Sequence, residues 1–195
     1  QRRRVIAELE YVHPELFDEF NHAKHLSEAQ GRFLRSSGRF PLGSKGDINT
    51  YAVFAELMDR LIRPGGRAGF IVPSGIATDA TTKDLFGHLV SSNRLRSLFD
   101  FENRKAIFPS VHRSYKFSLM TLRDPEDDPV PAKFAFFLMG VQDLEDDDKS
   151  FELTTEDFRL INPNTLTCPV FRSRRDAEIT GRIYSNSEVL DKEDP

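Results

Sequence analysis

A helix–turn–strand unit between Asp47 and Pro73 constrains the fold more than any other part of the sequence. Asp47 is suited to cap the helix, because its carboxylate can accept hydrogen bonds from free backbone amides of the first turn. Pro64-Gly65-Gly66 ends the helix, since proline cannot continue the hydrogen-bond ladder and glycine tolerates a left-handed turn. The apolar run from Ala68 to Val72 then predicts a strand buried on both faces, as in a parallel sheet. The predicted helix carries its apolar side chains on one face: Ile48, Tyr51, Phe54, Ala55, Met58, Leu61 and Ile62.

A second helix–strand unit follows. Thr78 or Asp79 can cap a helix that carries Leu85, Phe86, Leu89 and Val90, and residues 95–101 form an apolar strand. Two further strands, 116–122 and 132–138, are joined by a connection too short for a crossover helix, which predicts that they are antiparallel. The order predicts an α/β fold: a partial Rossmann-like sheet, mostly parallel with an antiparallel C-terminal pair, and helices on its faces.

The ends of the chain are predicted from periodicity and composition. Residues 5–35 are expected to be helical, with a break or restart at Pro14. The acidic run 143–149 is expected to be a solvated loop, and residues 174–184 can form a final helix.

Composition excludes several classes of protein. The chain has 195 residues, 38% of them hydrophobic, which is enough for a folded core. No apolar run reaches the roughly 18 residues that span a bilayer. The single cysteine, Cys168, excludes a disulfide framework and a cysteine-rich zinc site. His22 and His25 have no third ligand nearby in the sequence, so we expect no metal site.

The net charge of −4 conceals a strong asymmetry along the chain. Residues 94–123 hold seven basic side chains against two acidic, whereas residues 124–157 hold twelve acidic against two basic. Around the loop before residue 117, basic side chains alternate with aromatic ones, which suits a groove that follows DNA phosphates. An ordinary solvated loop is an equally open interpretation. The candidate DNA-binding residues are Arg104, Lys105, Arg113 and Lys116.

Arg172, Arg174 and Arg175 also suit contact with phosphate. The favoured interpretation is that they begin a helix and pair with Asp176 and Glu178.

An ordered set of short motifs resembles a known family. The residues that carry it are Asn49, Tyr51, Phe54, Ile62, Pro64, Gly65, Gly66, Val72 and Pro73. It continues through residues 74–79, 99–103, 108–111, 114–117, 162–165 and 171–176. The set resembles the class I, S-adenosylmethionine-dependent adenine-specific DNA methylases of restriction–modification systems, including the fused type IIG kind.

The resemblance covers only part of that family's pattern. A glycine-rich cofactor turn and an Asn-Pro-Pro-aromatic catalytic loop are absent, and Asn162-Pro163-Asn164-Thr165 is no substitute because it lacks the second proline and the aromatic residue. The resemblance therefore implies the C-terminal half of a catalytic domain, with no catalytic residue in this chain and no activity alone. The parent would transfer a methyl group from S-adenosylmethionine to adenine N6 in double-stranded DNA, in the cytoplasm.

The resemblance also implies roles for individual residues. Phe54 and Tyr51 would line the cofactor pocket, and Phe108, Tyr115 and Phe117 would stack near the target base. Phe54, the Pro64-Gly65-Gly66 bend and the loop before Phe117 are expected to form one wall of a shared pocket.

The implied division of the chain has three parts: an N-terminal helical segment and loop (1–46), half of the methyltransferase domain (47–140), and an acidic loop and extension (141–195). The remainder of the parent chain and duplex DNA would be the partners. The alternative is a non-catalytic module with a degenerate methyltransferase fold that binds DNA or protein; a methyltransferase for RNA or protein also stays open.

Overall fold

The computed structural model describes residues 1–125 and 130–187. Residues 126–129 and 188–195, which include part of the acidic segment and the end of the predicted C-terminal extension, lie outside the described residues. The helices are α1 (Arg2–Val12), α2 (Pro14–Ser36), α3 (Thr50–Leu61), α4 (Gly75–Thr78), α5 (Lys83–Ser91), α6 (Thr155–Ile161) and α7 (Arg174–Asn186). The strands are β1 (Arg67–Pro73), β2 (Leu95–Glu102), β3 (Lys116–Arg123), β4 (Ala132–Leu138) and β5 (Ser150–Leu153).

The strands form one sheet in the order β1-β3-β2-β4-β5. The α/β class is confirmed, but the strand directions differ from the predicted, mostly parallel arrangement. Only β2 and β4 pair in parallel, and the other three neighbouring pairs are antiparallel. The crossover through α4 and α5 does make β1 and β2 run in the same direction. The return strand β3 then inserts between them, so neither pairs with the other.

The prediction that residues 116–122 and 132–138 form an antiparallel pair is right about their directions and wrong about their pairing. β3 and β4 do run in opposite directions, because β3 is antiparallel to β2 and β4 is parallel to it. They are not neighbours, since β2 lies between them. Connection length decided the relative direction, whereas the order of strands depended on pairing with β2.

The two faces of the sheet differ in what covers them. One row across all five strands is Phe70, Met120, Leu98, Phe134 and Phe151. This face joins the main core together with residues of α3 to α7. The next row, on the opposite face, is Ile71, Leu119, Phe99, Ala135 and Ser150. Its apolar cluster contains strand residues and Leu144, so the helices pack on one face of the sheet.

β1 lies at an edge of the sheet and is not buried on both faces as its apolar sequence predicted. Its only buried residue is Val72, and the side chain of Ile71 is 52% exposed. An apolar run is typical of a strand that is covered on both faces. In the described part of the chain, β1 pairs with β3 on one side only.

The N-terminal helices confirm the break at Pro14 but add little to the core. α2 begins at Pro14, and neither α1 nor α2 contains a buried residue. In the described part of the chain, no helix is both long enough and apolar enough to cross a membrane.

The boundaries of several other elements differ from the prediction. α3 begins at Thr50, and its N-cap is Asn49, not Asp47. The cap of α5 is Thr82, not Thr78 or Asp79. The acidic run folds into two short 3-10 turns, Val141–Glu145 and Asp147–Lys149. β5 and α6 were not predicted, and their residues Phe151 and Phe158 belong to the main core.

Candidate functional site

The carboxyl ends of β1, β2 and β4 meet at one edge of the sheet, where a buried carboxyl group links three elements. Asp100 of β2 is 4% exposed, and its Oδ2 accepts hydrogen bonds from the hydroxyls of Ser74 and Ser118. Burial raises the pKa of Asp100, against the opposing effects of these hydrogen bonds and of Lys116. Asp100 thus ties the turn after β1 to β2 and β3.

A fully buried asparagine shapes the loop that follows β2. The Asn103 side-chain amide donates to the carbonyls of Phe108 (3.0 Å) and Val111 (2.9 Å), and its oxygen accepts from the Phe108 amide (2.9 Å). Its backbone amide also donates to the Tyr115 carbonyl at 3.0 Å. We call residues 104–115 the aromatic–basic loop. Asn103 holds the loop at its start, middle and end.

The predicted base-stacking residues lie together but are not equally open. Phe117 stacks on Phe101 with ring centroids 5.4 Å apart, and its ring contacts Phe108 at 4.9 Å. Phe108 is 36% exposed and Tyr115 is 65% exposed. Tyr115 therefore presents the most accessible ring, and Phe117 supports Phe108 from within the sheet. Their role in stacking a base stays a prediction.

The predicted DNA-binding residues fall into two groups. Arg104 Nε lies 2.6 Å from Glu102 Oε2, and Lys116 Nζ lies 3.4 Å from Glu102 Oε1. One carboxylate thus faces two cations. Lys105 and Arg113 are exposed on the aromatic–basic loop. All four lie within the loop or at its junction with β3, and their binding to DNA stays a prediction.

Phe54 and Tyr51, the predicted cofactor residues, share an open cleft of about 340 Å³ beside the edge strand. Phe54 is 58% exposed, and Tyr51 is partly buried. Burial, followed by the charge of Asp79, raises the pKa of the Tyr51 phenol. The lining comes from α3 and β1: Thr50, Tyr51, Phe54, Ala55, Met58, Phe70, Ile71 and Val72.

The expectation that Phe54, the Pro64-Gly65-Gly66 bend and the aromatic–basic loop share one wall is wrong, because neither the bend nor the loop lines the cleft at Phe54. The bend precedes β1, and the Gly65 amide donates to Asp124, just beyond the carboxyl end of β3. Because β3 is antiparallel to β1, this is the edge of the sheet opposite the aromatic–basic loop. The bend sets the start of β1. The cleft at Phe54 is lined by α3 and β1 alone.

Three residues at this edge were missed as site residues: Glu102, Phe137 and Arg172. Lys116 Nζ lies 5.0 Å and Arg172 Cζ 5.4 Å from the centroid of the Phe137 ring. The arginine-rich stretch before α7 was a usable signal, but it was assigned to the helix start. Nothing in the sequence marks Phe137, because its position depends on a bulge in β4.

Cys168 is buried and packs in the main core. Burial, followed by the charge of Asp100, raises the pKa of its thiol. Among residues 1–125 and 130–187, no three His, Cys, Asp or Glu side chains are grouped so that they could hold a metal ion.

Comparison with known proteins finds a family match in the central segment. Residues 22–108 match the model of the family described as Eco57I restriction-modification methylase. The resemblance to restriction–modification methylases is thereby confirmed from the middle of α2 to Phe108 in the aromatic–basic loop. No curated protein matches the chain.

One solved structure to which part of the chain is similar is the methyltransferase subunit of a type I restriction-modification system from Streptococcus thermophilus. It is 14% identical in sequence, with a TM-score of 0.47. The similarity covers 69% of the present chain and 33% of that subunit. The chain thus spans about a third of the length of this relative.

Proposed function

We propose, on the premise that residues 22–108 belong to the restriction–modification methylases, that the chain is the C-terminal half of an adenine-specific DNA methyltransferase, type IIG-like. The parent transfers a methyl group from S-adenosylmethionine to N6 of adenine in duplex DNA, in the cytoplasm. The proposed half-domain is residues 47–140, with the helical segment 1–46 before it and the extension 141–195 leading toward a target-recognition region.

The observation that carries this proposal is the apolar cleft at Phe54, beside the unpaired edge of β1. A ring that is 58% exposed in a cleft of about 340 Å³ is suited to one face of a planar heterocycle. Met58, Phe70 and Ile71 complete an apolar wall. The residues fit the adenine ring of S-adenosylmethionine, which supplies the methyl group when bound.

The unpaired edge of β1 and the exposed part of the second sheet face beside it, which we call the open face, support a missing half. The outer edge of β1 presents backbone amides and carbonyls that a further strand can pair with. Ile71, Leu119 and Phe99 extend from that edge across the open face. We infer that the preceding part of the parent covers both surfaces and brings the catalytic loop next to Phe54.

In this arrangement the chain binds and orients, and the other half holds the catalytic groups. Phe54 and Tyr51 contact the cofactor's adenine, and Tyr115 stacks on the flipped base with Phe108 behind it. Stacking offsets part of the cost of unstacking the base, which is a few kcal/mol. Lys105 and Arg113 contact the phosphate backbone.

The test is reconstitution with the preceding half of the parent. We expect methylation of unmodified duplex DNA at adenine N6 by the combined halves and none by the chain alone. Phe54→Ala should weaken S-adenosylmethionine binding by roughly tenfold, about 1.4 kcal/mol. Binding can be measured by calorimetry on the combined halves, with the exposed Val141→Ala as the control.

Two outcomes would contradict the proposal. Salt-sensitive DNA binding by the chain alone, together with an inactive intact parent, would favour the non-catalytic module. Activity on RNA or protein but not on duplex DNA would assign the fold to another substrate.

A further inference from the structure

A second cleft lies at the carboxyl edge of the sheet, between the ends of β2 and β4. It has a volume of about 430 Å³ and is lined by Glu102, Arg104, Phe137, Met139 and Arg172. These residues come from the end of β2, the start of the aromatic–basic loop, the end of β4 and the segment before α7. The fold therefore converges on this point from segments that are far apart in the sequence.

Three cations meet around this cleft. Lys116 and Arg104 approach the two carboxylate oxygens of Glu102, and Lys116 and Arg172 both lie over the Phe137 ring. Lys116 thus contacts both the Glu102 carboxylate, which it shares with Arg104, and the Phe137 ring, which it shares with Arg172. An aromatic ring face attracts cations and supplies no formal negative charge.

The acidic groups nearby do not balance these cations. Asp100 is buried, and its oxygen is engaged by the hydroxyls of Ser74 and Ser118. Asp143 accepts from the amides of Met139 and Gly140 and pairs with Lys149 at 3.0 Å. Glu102 is then the carboxylate that pairs with Arg104 and Lys116, and Arg172 forms no ion pair in the described part of the chain, so the cations outnumber the carboxylate that pairs with them.

Backbone strain places the ring among the cations. The backbone φ of Phe137 is +60°, in the left-handed region that residues other than glycine rarely adopt. It lies where the pairing of β2 with β4 shifts register, between Phe99↔Ala135 and Phe101↔Leu138. Such bulges redirect a side chain, and strain of this kind concentrates at functional sites.

We propose that this cleft binds a phosphate group, with Arg104, Lys116 and Arg172 as its cationic partners. Guanidinium groups match phosphate oxygens in a two-point geometry, and a phosphate supplies the negative charge that Glu102 alone does not. The inference rests on the proposed function in taking the phosphate from the DNA backbone, next to the aromatic–basic loop. Glu102 acts as an internal competitor that the phosphate partly displaces.

The first test measures binding of a short labelled duplex by the 195-residue chain and its variants across salt concentrations. Arg172→Ala should weaken binding roughly tenfold at low salt and lower the slope of log K against log salt by about one. Arg175→Ala, which removes the same charge from an exposed position on α7, is the matched control and should have little effect. Equal effects of both variants, or no effect of either, would overturn the site.

Glu102→Gln gives a prediction of opposite sign. Removing the internal carboxylate should tighten duplex binding several-fold and steepen the salt dependence, because Arg104 and Lys116 are released toward the phosphate. A Glu102 that merely supported the fold would leave affinity equal or lower, which would contradict the proposal. Circular dichroism of each variant verifies that it is folded.

A third measurement separates the site from the proposed function. Inorganic phosphate, compared with chloride at equal ionic strength, should raise the melting temperature of the wild-type chain and not that of Arg172→Ala. This result without any duplex binding would support a phosphate site for a free anion and count against DNA as the substrate. Absence of both the phosphate effect and the Arg172 effect on DNA would overturn the site alone.

Discussion

At the scale of single residues, Asp100 carries a carboxyl group that the fold makes costly to ionise. Its pKa is raised mainly by burial, so the folded state holds a proton at pH values where the unfolded chain has lost it. Stability therefore falls as pH rises through the interval between the ordinary value of 3.8 and the raised pKa. The two serine hydroxyls offset only part of this cost.

Asp100→Asn tests this directly. The amide has the same shape, and the hydroxyls of Ser74 and Ser118 can still donate to its oxygen. We expect a higher free energy of unfolding than wild type at pH 7, and a smaller difference at pH values below 4. Urea unfolding at both pH values measures the difference in free energy of unfolding between the variant and wild type. A variant less stable than wild type at pH 7 would show that the fold needs the ionised carboxylate.

Asn103 is the residue on which the shape of the aromatic–basic loop depends. Asn103→Ala removes the three side-chain hydrogen bonds to Phe108 and Val111, and we expect a loss of about 3 kcal/mol in stability. Hydrogen exchange at the Phe108 amide should also speed up. Asn186→Ala, which removes an exposed bond to Arg182, serves as the control and should cost less than about 0.5 kcal/mol.

At the scale of elements, α3 is joined to the segment before it through a buried carboxylate. Glu56 is 1% exposed and accepts hydrogen bonds from the amides of Leu42 and Gly43 while pairing with Arg60. Close approach of the two backbones is part of this contact. A Cβ on Gly43 would lie 2.7 Å from the Ala52 carbonyl oxygen.

Gly43→Ala should therefore destabilise the chain by about 1–3 kcal/mol, since the Ala52 carbonyl oxygen that it meets is backbone and cannot rotate away. Gly69→Ala in β1 is the matched control, because a Cβ there meets no atom within 4 Å. We expect that change to alter stability by less than about 0.5 kcal/mol. Equal unfolding midpoints in urea for the two variants would show that the segment before α3 moves freely.

At the scale of the whole molecule, the second face of the sheet is exposed only toward β1, and β1 is unpaired along its outer edge in the described part of the chain. Ile71 lies at the corner of the open face and the open edge, and it is 52% exposed. Without a partner, an unpaired edge with apolar neighbours favours association between copies. This surface is the one that we assign to the preceding part of the parent.

We therefore expect the isolated chain to associate as its concentration rises. Ile71→Lys should weaken that association roughly tenfold, because a charge would be buried in the contact. Val141→Lys places the same charge at another exposed position and should leave association unchanged. Sedimentation velocity over a range of concentrations measures both; a wild-type chain that stays monomeric would contradict the expectation.

Local patterns were sufficient for most of the elements and for the resemblance. The periodicity around Tyr51 and Phe54, the bend at Pro64 and the run to Val72 predicted α3 and β1 and supported a resemblance that the family match confirms. Which charged side chains lie close together was harder to predict. Arg172 is 56 residues from Lys116 in the sequence, and both reach Phe137 only because β4 bulges there.

The sequence by itself determined most of the helices, the strands β1 to β4 and the opposite directions of β3 and β4, because these follow from side-chain periodicity and connection length. Only the tertiary structure decided that β3 inserts between β1 and β2, that Ile71 stays exposed at the edge, and that three cations meet around Glu102 and Phe137. These features arise from pairing and packing between distant segments. The order of the strands in the sheet is not determined by any local sequence pattern.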